Sequence, residues 1–243
     1  MLVATSAPAS QRICPFESEF LEQPLHLPHV HAVRAAGQQL KIVVLRSPEK
    51  RGIKGWEFTD RLVHWLRESW GNKAIHATVL QEPKLDAAGW ATHIPAILER
   101  YDPALLIWDV GHVDARRGTD LYEFSESVED VIVTLSESRA DLLLLEPEYQ
   151  SEFALWVDSE PYMELLQQVV RGYPVVLFPR NRISREWLQD MNAFMQSNYS
   201  SDAHIRRRLN DCLGQVLATA IARAAERSEA IQAEEDAQQD WWE

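Results

Sequence analysis

Five short apolar runs recur along the chain and constrain its fold more than any other feature. They read KIVVL (41–45), IHATVL (75–80), ALLIWDV (104–110), DLLLLEP (141–147) and YPVVLF (173–178). Each has strand length, and most lack the alternation of a half-exposed strand, which is the pattern of central parallel strands covered on both faces. Between them lie stretches of helical length. In WEFTDRLVHWLRESW, residues Trp56, Leu62, Val63, Leu66 and Trp70 share one helical face, and Gly71 supplies a stop. AAGWATHIPAILERY, DLYEFSESVEDVIVTLSES and REWLQDMNAFMQ are read as the later crossovers. Strands alternating with helices imply right-handed crossovers and helices on both faces of a parallel sheet. The expectation is a flavodoxin-like three-layer α/β/α sandwich with a parallel five-stranded sheet.

The flanks divide the remainder. Residues 1–38 hold four prolines and no clear period, and are read as an arm lying over a domain of residues 39–224. A last helix is expected from near His204, burying Leu209, Leu213, Val216, Leu217 and Ile221. Beyond Ala225 that stripe fades into an acidic tail, residues 225–243, read as a solvated helical or frayed extension. Trp241 and Trp242 near its end are candidate anchors for a partner pocket.

At 243 residues the chain is long enough for one three-layer core. Its formal charge of −13 repels phosphates, which argues against nucleic acid as a general partner. No apolar run is long enough to cross a bilayer, so no membrane insertion is expected. The opening MLVATSAPASQRIC lacks a basic start followed by an apolar segment, which makes a soluble, cytoplasmic protein the default expectation. The only cysteines, Cys14 and Cys212, fit no zinc or redox spacing. On residues alone two readings stay open: separate buried thiols, or a disulfide in an oxidising compartment. His26, His29 and His31 in LHLPHVH carry no neighbouring carboxylate or cysteine, and packing of Leu25, Leu27 and Val30 explains the segment, so neither metal nor other cofactor is expected.

Ligands of open parallel sheets bind beyond the carboxyl ends of the strands. Those ends lead into Arg46–Gly52, Gln81–Lys84, WDVGHVDARRG (108–118) and, before the last helix, YSSDAHIRRR (199–208). Their order and spacing resemble the SGNH, or GDSL-type, esterases over about residues 14–224. The block Trp108–Gly118 resembles a family version reading W-x-x-G-x-N-D-A-x-R-G. In that family a Ser attacks an ester carbonyl and a His, three residues after an Asp, is the general base. The oxyanion is held by the Ser N–H, a Gly N–H and an Asn side chain.

Carried over residue by residue, the resemblance gives a degraded site. The nucleophile position falls on Pro48, which has neither a hydroxyl nor an N–H. Gly111 and Asp114 remain, but the Asn position is Val113. His204 fits the histidine, while the residue three before it is Ser201, with Asp202 displaced by one. Ser cannot supply the charge that orients an imidazole. Losing one oxyanion donor costs about 10²- to 10³-fold in rate. The resemblance therefore implies a degenerate member, a binding or assembly component in carbohydrate or cell-envelope polysaccharide metabolism with an unknown protein or an anionic or carbohydrate ligand as partner. The alternative is a weak acetyl esterase using a shifted Ser47, His204 and Asp202. Arg46, Lys50, Arg51, Lys54, Arg206 and Arg207 would give the pocket a basic mouth suited to anions. The resemblance also implies pairing of Cys14 with Cys212, and with it a periplasmic or exported protein as the alternative location.

Overall fold

The computed structural model describes residues 14, 27–46, 57–70, 75–147, 157–189 and 202–239, with side chains in the last helix described for 203–225. Five parallel strands form the sheet in the order β2-β1-β3-β4-β5. In chain order the described elements are α1 (Pro28–Ala35), β1 (Leu40–Arg46), α2 (Phe58–Trp70), β2 (Ile75–Gln81), α3 (Ala87–Tyr101), β3 (Leu105–Asp109) and α4 (His112–Arg117). There follow α5 (Leu121–Ser136), β4 (Asp141–Leu145), α6 (Glu160–Val170), β5 (Val176–Phe178), α7 (Arg180–Gln189) and α8 (Asp202–Gln239). The flavodoxin-like sandwich expected from the apolar runs is the fold observed.

The unbroken apolar runs have a direct cause: the central strands are buried on both faces. Ile42 and Val44 of β1, with Leu105 and Ile107 of β3, face a core built with Leu62 and Leu66 of α2 and Leu213, Val216 and Leu217 of α8. Val43, Leu45, Leu106 and Trp108 face the opposite core, against Trp90 and Ile94 of α3, Phe124 and Val128 of α5 and Leu166 of α6. Helix α8 lies close enough to α2 that a Cβ on Gly214 would sit 2.6 Å from the Arg61 Cβ and 2.8 Å from the backbone N of Leu62. The same crossing is tied by Asp211, whose Oδ1 accepts from Arg61 Nε at 2.5 Å and from Trp65 Nε1 at 3.2 Å.

Three elements escape the sequence reading, the six-residue α4 among them. Residues 28–35, read as part of an irregular arm, form α1, which buries Val30, with Leu27 buried just before it. Pro28 suits a first helical turn, whose N–H has no intrahelical acceptor. The next two donors are met from far away: Asp141, at the start of β4, accepts from His29 N at 3.3 Å and from Val30 N at 2.9 Å. A two-turn helix capped by a tertiary contact leaves little periodicity to read. Helix α6 was also missed, although Tyr162, Met163, Leu166 and Val169 recur at helical spacing and are buried. Its Pro161 falls in the first turn, where proline is tolerated. Helix α7 starts at Arg180, five residues before the REWLQDMNAFMQ segment read as helical, and residues 190–196 of that segment lie outside the described residues.

Candidate functional site

The strand order reverses between β1 and β3, so the crevice beyond their carboxyl ends is where a ligand is expected. At this carboxyl edge of the sheet, four of the strands deliver a charged residue. Arg46 ends β1, Asp109 ends β3, Glu146 follows β4, and Arg180 follows β5 after Phe178 and Pro179. All but Asp109 are under a tenth exposed, and the Asp109 side chain is 11% exposed. Burial of charge at that depth requires partners.

Those partners lie within the chain. The Arg180 guanidinium reaches over β4, donating from Nη2 to Asp109 Oδ1 at 2.5 Å and from Nε to the Glu146 carbonyl at 2.9 Å. One side chain thus ties the ends of β3, β4 and β5. The Glu146 carboxylate accepts from Asn181 N at 3.2 Å, at the start of α7, and from Gln167 Nε2 on α6 at 3.4 Å. Burial nevertheless pushes its carboxyl above the ordinary value, because these bonds and Arg182 offset only part of the desolvation. Arg46 donates from Nη1 to Glu57 Oε2 at 2.8 Å, and its guanidinium lies 4.9 Å from the centroid of the Phe58 ring. Its charge is thus paired with Glu57, while its Nε is buried with no hydrogen-bond partner among the described residues.

After β3 the chain turns sharply. Gly111 takes φ +90° as it opens α4, a conformation that favours glycine. Val113 and Asp114 follow, each 2% exposed, and His112 is buried beside them. Asp114 Oδ1 accepts from Ala87 N, at the start of α3, at 3.1 Å. Desolvation raises its carboxyl above the usual range against the lowering effect of that bond. A small crevice at this end is lined by Leu85, Trp90, Trp108, Asp109, His112 and Asp114. A larger groove, about 470 Å³, lies elsewhere, between α2 and β2.

The sequence-derived site residues are only partly placed. Gly111 is the N-cap of α4 just after β3, and Val113 is buried within that helix. His204 is exposed on the first turn of α8, with Arg206 and Arg207 exposed on the next. Ser47, Pro48 and Lys50 lie outside the described residues, as do the Asp202 side chain, Trp241 and Trp242. His29 and His31 serve α1: His29 gives its amide to Asp141, and His31 Nδ1 lies 3.0 Å from the Ala225 carbonyl. Among the described residues no group of three His, Cys, Asp or Glu is arranged to hold a metal. Cys14 and Cys212 form a disulfide with Cα atoms 5.4 Å apart, so the reading of separate thiols is replaced by the pairing the resemblance implied. No described helix is long and apolar enough to cross a membrane. Sequence reasoning missed Asp109, Glu146 and Arg180. Its available signal was a charged residue closing each of three apolar runs.

Similar folds are esterases. A two-domain esterase (CEX) active on acetylated mannans superposes with a TM-score of 0.62 at 13% identity, covering 89% of this chain and 56% of that one. The acetyl xylan esterase AlAXEase gives 0.56 at 12% identity, over 76% and 99% of the two chains. Axe2, an acetylxylan esterase from Geobacillus stearothermophilus, gives 0.54 at 12%, over 77% and 93%. At such identities the likeness shows the SGNH-hydrolase-like fold. No curated protein sequence matches the chain significantly. The family described as Non-GDSL lipase-like matches residues 13–227. With that match spanning most of the sequence and the β1/β3 crevice built on the same fold, the chain belongs to the Non-GDSL lipase-like family.

Proposed function

We propose that this protein is a non-hydrolytic member of the esterase fold that serves as a binding component in carbohydrate metabolism, with an acylated or acidic glycan as its ligand. The observation that carries the reading is Val113. It occupies the position where the resembled esterases hold their oxyanion asparagine, it is 2% exposed, and its side chain has no hydrogen to donate. Pro48 at the nucleophile position and Ser201 at the acid position act in the same direction. An oxyanion donor alone is worth about 10²- to 10³-fold, and removing the nucleophile leaves the rest of a triad without its task.

The glycan class is supported by the fold's neighbours, whose names record action on acetylated mannans and acetylxylan. Basic groups for an acidic sugar come from α8, where Arg206 and Arg207 are exposed.

Turnover of p-nitrophenyl acetate and acetyl release from acetylated xylo-oligosaccharides test the catalytic half, with Ser47→Ala as control. The expected result is background hydrolysis unchanged by the substitution. Robust turnover abolished by Ser47→Ala would overturn the reading in favour of the shifted Ser47, His204 and Asp202 set. Calorimetric titration with acetylated xylo- and manno-oligosaccharides and glucuronoxylan fragments tests the binding half. Arg206→Ala with Arg207→Ala is expected to weaken uptake of the acidic fragments.

A further inference from the structure

Arg46 closes β1 at the point where the strand order reverses, and half of its guanidinium is unused. The residue is 8% exposed. It shares a face of β1 with Ile42 and Val44, so it looks toward the layer of α2 and α8. Nη1 donates to Glu57 Oε2 at 2.8 Å, and the Phe58 ring centroid lies 4.9 Å from Cζ. Nε is buried with no hydrogen-bond partner, and among the described residues nothing accepts from Nη2.

Those two atoms act as one unit. In a planar guanidinium the Nε–H and one N–H of Nη2 point the same way, at the spacing of the two oxygens of a carboxylate. Glu57 holds the other end of the group, so this fork remains open. The next carboxylate along the sheet does not fill it. The β1–β3 register runs from Ile42↔Leu105 to Leu45↔Trp108, which sets Asp109 opposite Arg46 one step further on. Asp109 Oδ1 instead accepts from Arg180 Nη2 at 2.5 Å. A charged donor kept buried without a partner is costly, and such groups are rare enough in native proteins to call for a cause.

We propose that the Nε and Nη2 fork of Arg46 is a carboxylate-binding subsite at the β1/β3 crevice. The inference rests on the reading of the protein as a glycan-binding component, and names the group by which an acidic glycan is held: the carboxylate of a uronic acid. Shape and charge both favour a carboxylate over phosphate. Its two oxygens lie in the plane of the fork, and it brings one negative charge to a guanidinium already shared with Glu57. A phosphate dianion would set more negative charge beside Glu57, in a chain whose formal charge is −13. Lysine in place of Arg46 would keep the positive charge and lose the fork.

The arginine Nε–H resonances of the full chain, observed by heteronuclear NMR, test the subsite, with the Arg46 signal assigned by its loss in Arg46→Lys. Sodium glucuronate and glucuronoxylan fragments are expected to shift that signal. Fragments whose uronate carboxyl has been reduced to an alcohol are expected to leave it in place. In calorimetry Arg46→Lys should bind the acidic fragments at least about tenfold more weakly, with its fold followed by circular dichroism. Glu57→Gln should bind them more tightly than the parent, since the guanidinium is no longer shared with a carboxylate. A purely structural Arg46–Glu57 pair would give no such gain. An Arg46 signal unmoved by glucuronate and by the acidic fragments overturns the proposal. So does equal affinity for the acidic and the reduced fragments, which leaves glycan binding standing without this subsite. Inorganic phosphate moving the signal at lower concentration than glucuronate overturns the choice of carboxylate. A response to glucuronate with no fragment bound supports the subsite and overturns the glycan reading, so the two fail separately.

Discussion

Replacing Arg180 with methionine tests whether the carboxyl ends of three strands are held by one guanidinium. Methionine preserves much of the volume while removing both hydrogen bonds. The Arg180 and Asp109 side chains are 4% and 11% exposed, so Asp109 would keep its charge at depth without the partner at 2.5 Å. Breaking a buried pair from one side costs about 3–5 kcal/mol, most of it the penalty of the stranded charge. Loss of the donor to the Glu146 carbonyl at 2.9 Å adds about 1 kcal/mol. For a chain of this size each kcal/mol lowers Tm by about 2–4 °C, so a fall of about 8–24 °C is expected. Removing the stranded charge as well, in Asp109→Leu with Arg180→Met, should recover most of the loss, because a buried pair replaced by apolar groups is often neutral. Urea unfolding followed by tryptophan fluorescence gives the four corners of the cycle. A single variant within about 1 kcal/mol of the parent, or a double variant no better than the single, would refute the reasoning.

Glu146 sets a pH dependence of definite sign. Its folded pKa is raised above the ordinary 4.5, so its contribution to stability is present below that value and is lost as pH rises through the folded pKa. Glu146→Gln should therefore gain stability relative to the parent from pH 4 to pH 7, read from urea midpoints across that range. Gly214→Ala forces a Cβ to 2.6 Å from that of Arg61 and should cost about 1–3 kcal/mol by the same unfolding assay. Asp141→Ala removes the acceptor for His29 N and Val30 N and should cost about 1–2 kcal/mol, with faster amide exchange confined to α1 and its neighbours. Arg46→Met strands Glu57, whose side chain is 22% exposed, and should lower stability by about 1–3 kcal/mol in the same urea unfolding.

The parts of this fold that read clearly from sequence are those whose local pattern and tertiary environment agree. KIVVL and ALLIWDV are apolar at every core position because β1 and β3 are covered on both sides, and the stripe Leu209, Leu213, Val216, Leu217, Ile221 is buried as its spacing requires. Where structure comes from a distant partner, the pattern thins. Helix α1 owes its N-terminal cap to Asp141, more than 100 residues later, and nothing in PHVHAVRA announces that carboxylate. The Asp109–Arg180 pair spans 71 residues. Its members were visible as charges closing apolar runs, but a charge at a strand end also fits a solvated turn. What separates the two cases is depth, which local composition does not encode. Arg46, read as a ligand group at the site mouth, has a long-range counterpart of its own in Glu57, with the Phe58 ring beside it.

The same strand-end charges bear on what the crevice does. An active ester-cleaving site keeps its polar groups aimed at developing charge on a substrate. Here Arg46 is matched to Glu57, Arg180 to Asp109, and the Glu146 carboxylate to Asn181 and Gln167. Each of these groups has a partner within the chain, although Arg46 Nε is buried with no hydrogen-bond partner among the described residues. Matched charges instead fix the ends of β3, β4 and β5 relative to one another and to α6 and α7. Arg206 and Arg207 lie exposed on α8, where they take no part in these strand-end pairs.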